Sequence, residues 1–385
     1  MAGRCYEPDN TMWPATSQII IFSGEASAAA ATATAVAAAQ HQPTLLASLT
    51  ATHACATLIG AQLALEPTHI TSNLDLWTFH PLTDLSTTWA ELRARVNVPG
   101  PPIDGSDLPL LPGLELFLAV YRLATHAQRG YRIICVDAGP PDTLLRALSV
   151  PDTFRWIMRQ LFGLDRGPGQ SSESLARAAL PANLLPFEQI GQMQEARVRF
   201  EQLRDAALDP ARVRARLVIH PDQAGLRSAQ VYAPALPLFG LTFDALIVGP
   251  LLPTVSDGHA LAASVLEQAT VLAAIAARWP HVPLFHLPLL ATPGSVAHFA
   301  TIGQSLFHPP TPLSPPITIG PIHDPFISLY LPGVAREDLS ISVSGDELIV
   351  SLGPYRRHLL LPTTLRGVPI RAVREGDRLT IRRRE

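Results

Sequence analysis

The stretch QIIIFSGEASAAAATATAV, residues 18–36, decides the fold of this chain. Its apolar run, its Ser-Gly pair at 23–24 and its series of alanines and threonines predict a strand, a tight turn and a helix of small residues. Many phosphate-binding loops begin in this way, with glycines that bring backbone N–H groups to the phosphates and a lysine that neutralises them. Here a glutamate and alanines follow the glycine, so the sequence predicts the scaffold of such a loop without its chemistry.

Further apolar runs alternate with helix-like segments and predict a buried sheet. They lie at residues 44–49, 74–79, 131–138, 214–221, 243–250 and 282–289. Strands that are apolar on both faces and separated by helices are typical of a mostly parallel sheet flanked by helices, so the fold class is α/β. This domain is predicted to span residues 1–306, with a helical insertion at about 151–213, where apolar residues recur at helical spacing.

Composition excludes several classes of protein. With 385 residues, 47% apolar content and a net charge of −3, the chain is expected to be a soluble globular protein. It shows no signal-peptide pattern and no run that could span a bilayer, so we expect a cytoplasmic protein that is not integral to a membrane. The cysteines form no CxxC pair and the histidines show no ligand spacing, so no metal site is predicted. A slightly acidic chain without a basic stripe is not expected to bind nucleic acid.

The chain contains no lysine, and all 29 of its basic residues are arginine. A coding bias toward alanine, proline and arginine would replace lysines by arginines and not by neutral or acidic residues. Composition therefore does not explain the glutamate and the alanines that follow Gly24.

Three later segments add to the opening stretch: TATHA (50–54), DAGPPDTLLR (137–146) and IVGPLLP (247–253). Together these segments resemble the motifs of the arsenite-pump ATPase family, whose eukaryotic relatives deliver tail-anchored membrane proteins. The resemblance covers nearly the whole α/β domain. It implies a P-loop NTPase-like fold, ATP hydrolysis and a dimer in which a signature lysine crosses the subunit interface.

The family's loop runs Gly-Lys-Gly-Gly-x-Gly-Lys-Thr after a strand. Laid on Gly24, it places its signature lysine at Glu25, its phosphate lysine at Ala30 and its magnesium-binding hydroxyl at Ala31. A shift of one residue brings Thr32 to the hydroxyl position but supplies no lysine. The resemblance thus implies that the cations of a nucleotide site are missing.

The second and third motifs keep part of the site. The aspartate that positions the attacking water in the family corresponds to Thr50, whereas Asp137 is retained. Gly24 and Asp137 are therefore the predicted remnant of a nucleotide pocket, and no catalytic residue is predicted. Because phosphoryl transfer depends on positioning and charge stabilisation, we expect no bound cofactor. The alternative is ATP and Mg²⁺ bound in a mixed dimer with a catalytic paralogue.

Two interpretations of Glu25 are open. Either its carboxylate lies in the first turn of the alanine-rich helix, as an internal anion that meets free N–H groups and the positive dipole end, or it faces solvent at a helix start. Asp137 likewise either coordinates a metal or caps the following turn. His53 beside Cys55 is expected to be structural, since no third group nearby would orient a nucleophile pair.

A proline-rich passage at 307–324 predicts an extended linker that takes no part in a core. After it, short alternating apolar runs and closely spaced turns predict a small antiparallel β-sandwich at 325–385. Residues 325–385 resemble the small heat-shock (α-crystallin-like) domain found in some bacterial members of the same family. The matching residues lie at 325–362, with Leu-Pro-Gly-Val at 331–334 and Gly-Asp-Glu-Leu at 345–348. The resemblance implies either binding of extended apolar segments by strand edges or a stabilising or dimerising appendage.

The sequence favours a non-hydrolysing relative of this family, acting as a client-binding, chaperone-like or scaffold protein with apolar protein segments as clients. The alternative is a regulatory ATPase subunit that binds or hydrolyses ATP only with a catalytic paralogue. The expected assembly is accordingly a homodimer or a heterodimer with that paralogue. Apolar residues of the helical insertion are the predicted client groove, unless they pack against each other: Phe154, Trp156, Ile157, Leu161, Phe162, Met193 and Phe200.

Overall fold

The computed structural model describes residues 12–95, 104–109, 113–162, 201–202, 204–255, 260–289, 296–308 and 314–384. Within these ranges the chain forms an eight-stranded sheet between two layers of helices, followed by a smaller domain of two antiparallel sheets. The predicted fold class, a mostly parallel α/β sheet plus a small β-sandwich, is confirmed.

The large sheet has the strand order β3-β4-β2-β5-β1-β6-β7-β8, and every strand is parallel to its neighbours except β3 at one edge. The seven strands that the sequence predicts are all present, and β3 is an addition. Strands β2, β5 and β6 are buried along their whole length, because helices cover both faces of the sheet. The strands are β1 (Gln18–Gly24), β2 (Thr44–Ser48), β3 (Thr68–Thr71), β4 (Leu74–Thr78), β5 (Ile133–Asp137), β6 (Val213–Ile219), β7 (Phe243–Leu251) and β8 (Leu284–Pro288).

The helices are α1 (Ser27–Ala39), α2 (Ala54–Ile59), α3 (Pro81–Arg95), α4 (Leu114–Ala127), α5 (Pro141–Phe162), α6 (Gln223–Leu238), α7 (Ala262–Arg278) and α8 (Val296–Leu306). Helix α1 is buried on nearly all sides, which explains its small residues. At Gly303 of α8 a side chain would collide with the Ala33 carbonyl group of α1, so the two helices approach closely. Helix α5 passes through Pro151 without ending, so position 151 is not the start of a separate helix.

The C-terminal domain consists of a four-stranded sheet, β14-β15-β10-β9, and a three-stranded sheet, β11-β12-β13. All pairings in both sheets are antiparallel. Alternate apolar side chains of the two sheets face each other and form the inside of the sandwich, among them Leu329, Leu348 and Ile381. The strands are β9 (Ile317–Ile319), β10 (Phe326–Tyr330), β11 (Leu339–Ser344), β12 (Glu347–Leu352), β13 (Tyr355–Leu360), β14 (Ile370–Glu375) and β15 (Arg378–Arg383).

The C-terminal domain packs firmly on the α/β domain, and one continuous apolar core contains residues of both. Trp279, directly after α7, is buried and donates its indole N–H to the carbonyl oxygen of Pro332 at 3.3 Å. Arg278 donates to the Gly333 carbonyl oxygen at 2.8 Å. The Leu-Pro-Gly-Val segment at 331–334 is therefore a docking element for the α/β domain.

Strand β13 forms a second part of this contact. The Arg357 guanidinium is buried and donates to the Leu238 carbonyl oxygen at the end of α6, at 2.6 Å. The Tyr355 hydroxyl donates to Asp142 of α5 at 3.0 Å. Helices α5 and α6 therefore both contact the C-terminal domain through β13.

The proline-rich passage at 307–324 differs from the predicted linker. Residues Ile317–Ile319 form strand β9, which pairs antiparallel with β10, and Ile317 packs against the shared core. Proline favours extended backbone and is tolerated beside an edge strand, so the same composition that predicts a linker is compatible with this strand. Part of the passage thus belongs to the sandwich.

Candidate functional site

A cavity of about 440 Å³ lies at the carboxyl ends of β1, β2, β5 and β6. In α/β sheets, ligands bind outside the carboxyl ends of the strands, where successive connections leave in opposite directions. Strand β1 is the central strand here, with β5 on one side and β6 on the other. The cavity is lined by residues of the β1–α1 turn, the loops after β2 and β5 and the start of α6, among them Gly24, Glu25, Ser27, Thr50, Asp137, Gly139, His220, Gly225, Ser228 and Tyr232.

Gly24 occupies a position that only glycine can fill. Its φ of 135° is in a region that L side chains rarely adopt, and a Cβ atom there would overlap the Val218 carbonyl oxygen of β6. The Gly24 N–H donates to the Gly139 carbonyl oxygen at 2.9 Å. Packing between the strands therefore requires this glycine, whether or not the cavity holds a phosphate.

Helix α1 begins at Ser27, and Ala26 is its N-cap residue without a side-chain cap. Alanine has the highest helix propensity, so the alanine run extends the helix toward the turn and leaves only a short connection after Gly24. Ala30 and Ala31 are fully buried in the core below the cavity and do not line it. The positions at which the family motif would place its phosphate lysine and its hydroxyl thus face the protein interior.

Ser27, the first residue of α1, brings its side chain to the buried carboxylate of Asp137. Its hydroxyl donates to Asp137 Oδ1 at 2.6 Å. A loop hydroxyl beside an aspartate at a strand end is the pair that holds Mg²⁺ in P-loop NTPases. The motif reaches its hydroxyl seven positions after its first glycine, whereas Ser27 follows Gly24 by three. Placing the motif on Gly24 therefore points to Ala31 and not to Ser27, because the motif assumes a loop of full length.

Asp137 is buried and already surrounded by donors. Besides Ser27, the Gly139 N–H donates to Oδ1 at 3.2 Å and the Thr50 hydroxyl donates to Oδ2 at 3.4 Å. Burial nevertheless raises the pKa of Asp137 above its ordinary value, and these hydrogen bonds oppose the rise. Asp137 ties together three loops at the bottom of the cavity.

Glu25 lies at the mouth of the cavity and not in the first turn of α1. Its carboxylate is 2.7 Å from the His220 Nε2 atom, at the end of β6, and its side chain is 62% exposed. No acidic residue is present in the first turn of the helix. The internal-anion interpretation of Glu25 is therefore wrong, because the early start of α1 leaves this residue outside the helix.

The charges of the cavity do not suit a triphosphate. Among the lining residues that the structure describes, the acidic groups are Glu25 and Asp137, and the basic group is His220; no arginine is present. The described lining thus has a hydroxyl–carboxylate pair, Ser27 and Asp137, and no arginine or lysine.

His53 and Cys55, near the same edge of the sheet, do not form a nucleophile pair. His53 has a φ of 48°, and its ring stacks on His80 with 4.8 Å between the ring centres. Burial lowers its pKa, and the neighbouring His80 lowers it further. Cys55 is fully buried, which raises the pKa of its thiol well above the usual range and disfavours a thiolate. The structural role expected for both residues agrees with these contacts.

Other elements of the predicted site lie elsewhere. Gly249 of β7, in the segment IVGPLLP (247–253), packs against Leu287 of β8 and does not line the cavity. Within the described ranges, no group of three or more His, Cys, Asp or Glu side chains could hold a metal ion.

Comparisons with protein families agree with this arrangement of domains. A family model described as "Anion-transporting ATPase" matches residues 19–298, and one described as "HSP20-like domain found in ArsA" matches residues 326–382. The chain belongs to the anion-transporting ATPase family. A relative from Prosthecochloris vibrioformis, named "Putative arsenical pump-driving ATPase", is 25% identical over 84% of this chain and 84% of its own length. "Protein Rv2184c" of Mycobacterium tuberculosis is 26% identical over 96% of both chains.

The predicted client groove of this anion-transporting ATPase family member is only partly described. On α5, Phe154 is half-buried and Trp156 is 48% exposed. The side chains of Ile157, Leu161 and Phe162 lie outside the described part, as do Met193 and Phe200 as a whole.

No helix in the described ranges is both long and apolar enough to cross a bilayer.

Proposed function

We propose that this chain is a non-hydrolysing member of the anion-transporting ATPase family that serves as a client-binding scaffold. The observation that carries the proposal is the cavity at the end of β1, whose described lining contains the acidic Glu25 and Asp137 and no arginine or lysine. In an active site of this class, cations and backbone N–H groups stabilise the charge of the transferred phosphoryl group. Here the described lining residues include no arginine or lysine that could supply the cationic part.

The size of the electrostatic effect supports the same conclusion. Two unit charges at 4 Å interact by about 1 kcal/mol in bulk water and by about 4 kcal/mol near a protein surface. Glu25 is largely exposed and so lies toward the lower figure, whereas buried Asp137 lies toward the higher one when ionised. A triphosphate in this cavity would meet repulsion where a P-loop supplies attraction, so affinity for nucleotide is expected to be very weak.

A second candidate function rests on Ser27 and Asp137. Their hydroxyl–carboxylate contact of 2.6 Å keeps the arrangement that ligates Mg²⁺ in P-loop NTPases. If a catalytic paralogue supplied lysines across a dimer interface, this chain would be a regulatory subunit that binds ATP and Mg²⁺ only in the mixed dimer. The two candidates therefore differ in what happens when the paralogue is added.

Isothermal titration with ATP and ADP in the presence of Mg²⁺ tests the proposal. We expect the full chain alone to give no measurable heat of binding and no phosphate release. A mixture with a catalytic paralogue is expected to behave as the paralogue does by itself. Tight binding by this chain alone would refute the proposal, and binding that appears only in the mixture would support the regulatory subunit.

The client-binding part of the proposal rests on exposed apolar surface beside the docked C-terminal domain. Trp156 is 48% exposed on α5, next to buried Arg155, whose guanidinium contacts strand β13. An exposed indole near a rigid surface is a common anchor for protein partners. We expect the full chain to slow the aggregation of a thermally unfolding model protein, and Trp156→Asp to reduce this effect.

Leu266→Asp provides a matched control for that experiment. Leu266 is exposed on α7, so its replacement adds the same charge to another exposed apolar site. If both substitutions, or neither of them, change the protection of the model protein, α5 is not the client surface.

A further inference from the structure

We propose that the outer edge of β11, Leu339–Ser344, pairs with the same strand of a second copy of this chain. Strand β11 is terminal in its three-stranded sheet and, among the strands of the described ranges, has a neighbour, β12, on one side only. All six residues pair with β12 in an unbroken register from Leu339–Leu352 to Ser344–Glu347. The backbone groups on the other side of this regular strand therefore point away from the sheet.

The other three outer strands of the sandwich are protected in the ways that proteins use against edge pairing. Strand β9 is only three residues long. Strand β14 carries the charged residues Arg371, Arg374 and Glu375. Strand β13 lies against the α/β domain, and Arg155 donates to the His358 carbonyl oxygen at 2.9 Å. Short length, charge and cover each discourage the addition of a further strand.

Strand β11 has none of these protections. Its sequence, LSISVS, contains neither a charge nor a proline. Leu339 and Ile341 pack partly against the core of the sandwich, while Val343 is 46% exposed at the end of the same face. A regular, uncharged and partly apolar edge of six residues is a template for strand addition.

Self-complementarity identifies the second copy as the occupant. If two copies of β11 run antiparallel about a two-fold axis at Ile341, Leu339 of one faces Val343 of the other, and Ser340 faces Ser342. Apolar side chains then share one face of the sheet and serines share the other. A shift by one residue would place each apolar side chain beside a serine, so this alternation also fixes the register. Such a contact is isologous and closes as a dimer.

The inferred contact extends each three-stranded sheet into a continuous six-stranded sheet across two copies, and it covers the exposed part of Val343. It involves neither the cavity at β1 nor Trp156, so it does not depend on the proposed function.

Sedimentation equilibrium of the full chain with Ser342→Lys tests the pairing. Ser342 is exposed and points away from the core, so the substitution is expected to leave the fold intact while it places positive charges at the contact of both copies. We expect the dissociation constant of the dimer to rise about tenfold or more. The matched control is Ala372→Lys, at an exposed position of β14, which is expected to leave the dissociation constant unchanged.

Amide hydrogen exchange provides a second readout that a general loss of stability would not imitate. In the wild-type chain the amides of 339–344 are expected to exchange more slowly as protein concentration rises, and Ser342→Lys is expected to abolish this dependence. A wild-type chain that stays monomeric would overturn the inference. So would a dimer that survives Ser342→Lys, or β11 amides that are protected only by an added extended peptide.

Discussion

At the scale of single residues, contacts within the fold account for Gly24 and Asp137 of the candidate site. Gly24 is required because β1 passes too close to Val218 for a side chain, and Asp137 joins the turns that carry Ser27, Thr50 and Gly139. Neither residue needs a nucleotide to explain it. The groups that only a nucleotide would explain, namely the cations, are absent from the described lining.

Replacing Gly24 by alanine tests the packing argument. The new methyl group would overlap the Val218 carbonyl oxygen at a φ of 135°, so we expect a loss of about 3 kcal/mol in the free energy of unfolding, measured with urea. Gly60→Ala is the control, because φ is 67° there but nothing lies within 4 Å of the added methyl group. It is expected to cost about 1 kcal/mol. Equal losses for the two variants would contradict the close approach of β1 and β6.

Asp137 gives a prediction about pH. Because its folded pKa is raised above the ordinary 3.8, the folded protein holds this proton at pH values at which the unfolded chain has released it. The contribution of Asp137 to stability therefore falls as pH rises from 3.8 through the folded pKa. We expect Asp137→Asn to remove this fall, as measured by urea unfolding at a series of pH values. An unchanged pH profile would show that Asp137 does not titrate in this range.

At the scale of helices and strands, the sequence predicted most of the large sheet because its buried strands are apolar on both faces. Strand β3 (Thr68–Thr71) was missed because it is short, polar and antiparallel at the edge. Strand β9 was missed because its proline-rich surroundings resemble a linker. In the candidate site, Gly24 and Asp137 were found by their motifs, whereas Ser27 and His220 depend on where α1 begins and on what β6 brings nearby. Those contacts are tertiary and leave no local signal.

Helix α5 and strand β13 share a buried group of ionic side chains that can be tested. Asp152 Oδ1 is 2.6 Å from Arg204 Nη1, and Asp152 Oδ2 is 3.6 Å from Arg357 Nε. Burial lowers the pKa of Arg357 to about 10, and Asp152 opposes this change. Asp152→Ala would leave three buried guanidinium groups, those of Arg155, Arg204 and Arg357, without this carboxylate. We therefore expect a loss of about 3–5 kcal/mol in the free energy of unfolding.

Asp205→Ala is the matched control for this variant. Asp205 also contacts Arg204, at 2.9 Å, but its side chain is 64% exposed. An exposed ion pair contributes about 0–1 kcal/mol, so the control is expected to change stability by no more than that. Similar losses for Asp152→Ala and Asp205→Ala would mean that the ionic group is not sealed from water.

At the scale of the whole molecule, the described chain behaves as one packed unit with two architectures. The shared core, the Trp279 contact with the Leu-Pro-Gly-Val segment and the contacts of β13 all join the domains. The sequence predicted the two architectures because their hydrophobic periods differ. The sequence did not predict that the two domains pack against each other, because residues such as Trp279 and Arg357 look like ordinary surface or core residues of their own domain.

Calorimetry can show whether the two domains unfold together. We expect the wild-type chain to unfold in a single heat-absorption peak, because the two domains share buried surface. Trp279→Ala removes the indole that packs on Gly333 and is expected to separate this peak into two. Trp156→Ala, at an exposed indole, is expected to preserve one peak. Two peaks already in the wild-type chain would show that the domains unfold independently.

Tyr232 has neighbours in both halves of the molecule. It lines the cavity at β1, and its ring lies 6.1 Å from that of Tyr355 in the C-terminal domain. A compound that enters the cavity would disturb the ring currents felt by Tyr355, so a fluorinated tyrosine at 355 would give a resonance that reports occupancy from the opposite domain. Screening for small molecules could then proceed without knowing in advance which compound the cavity prefers.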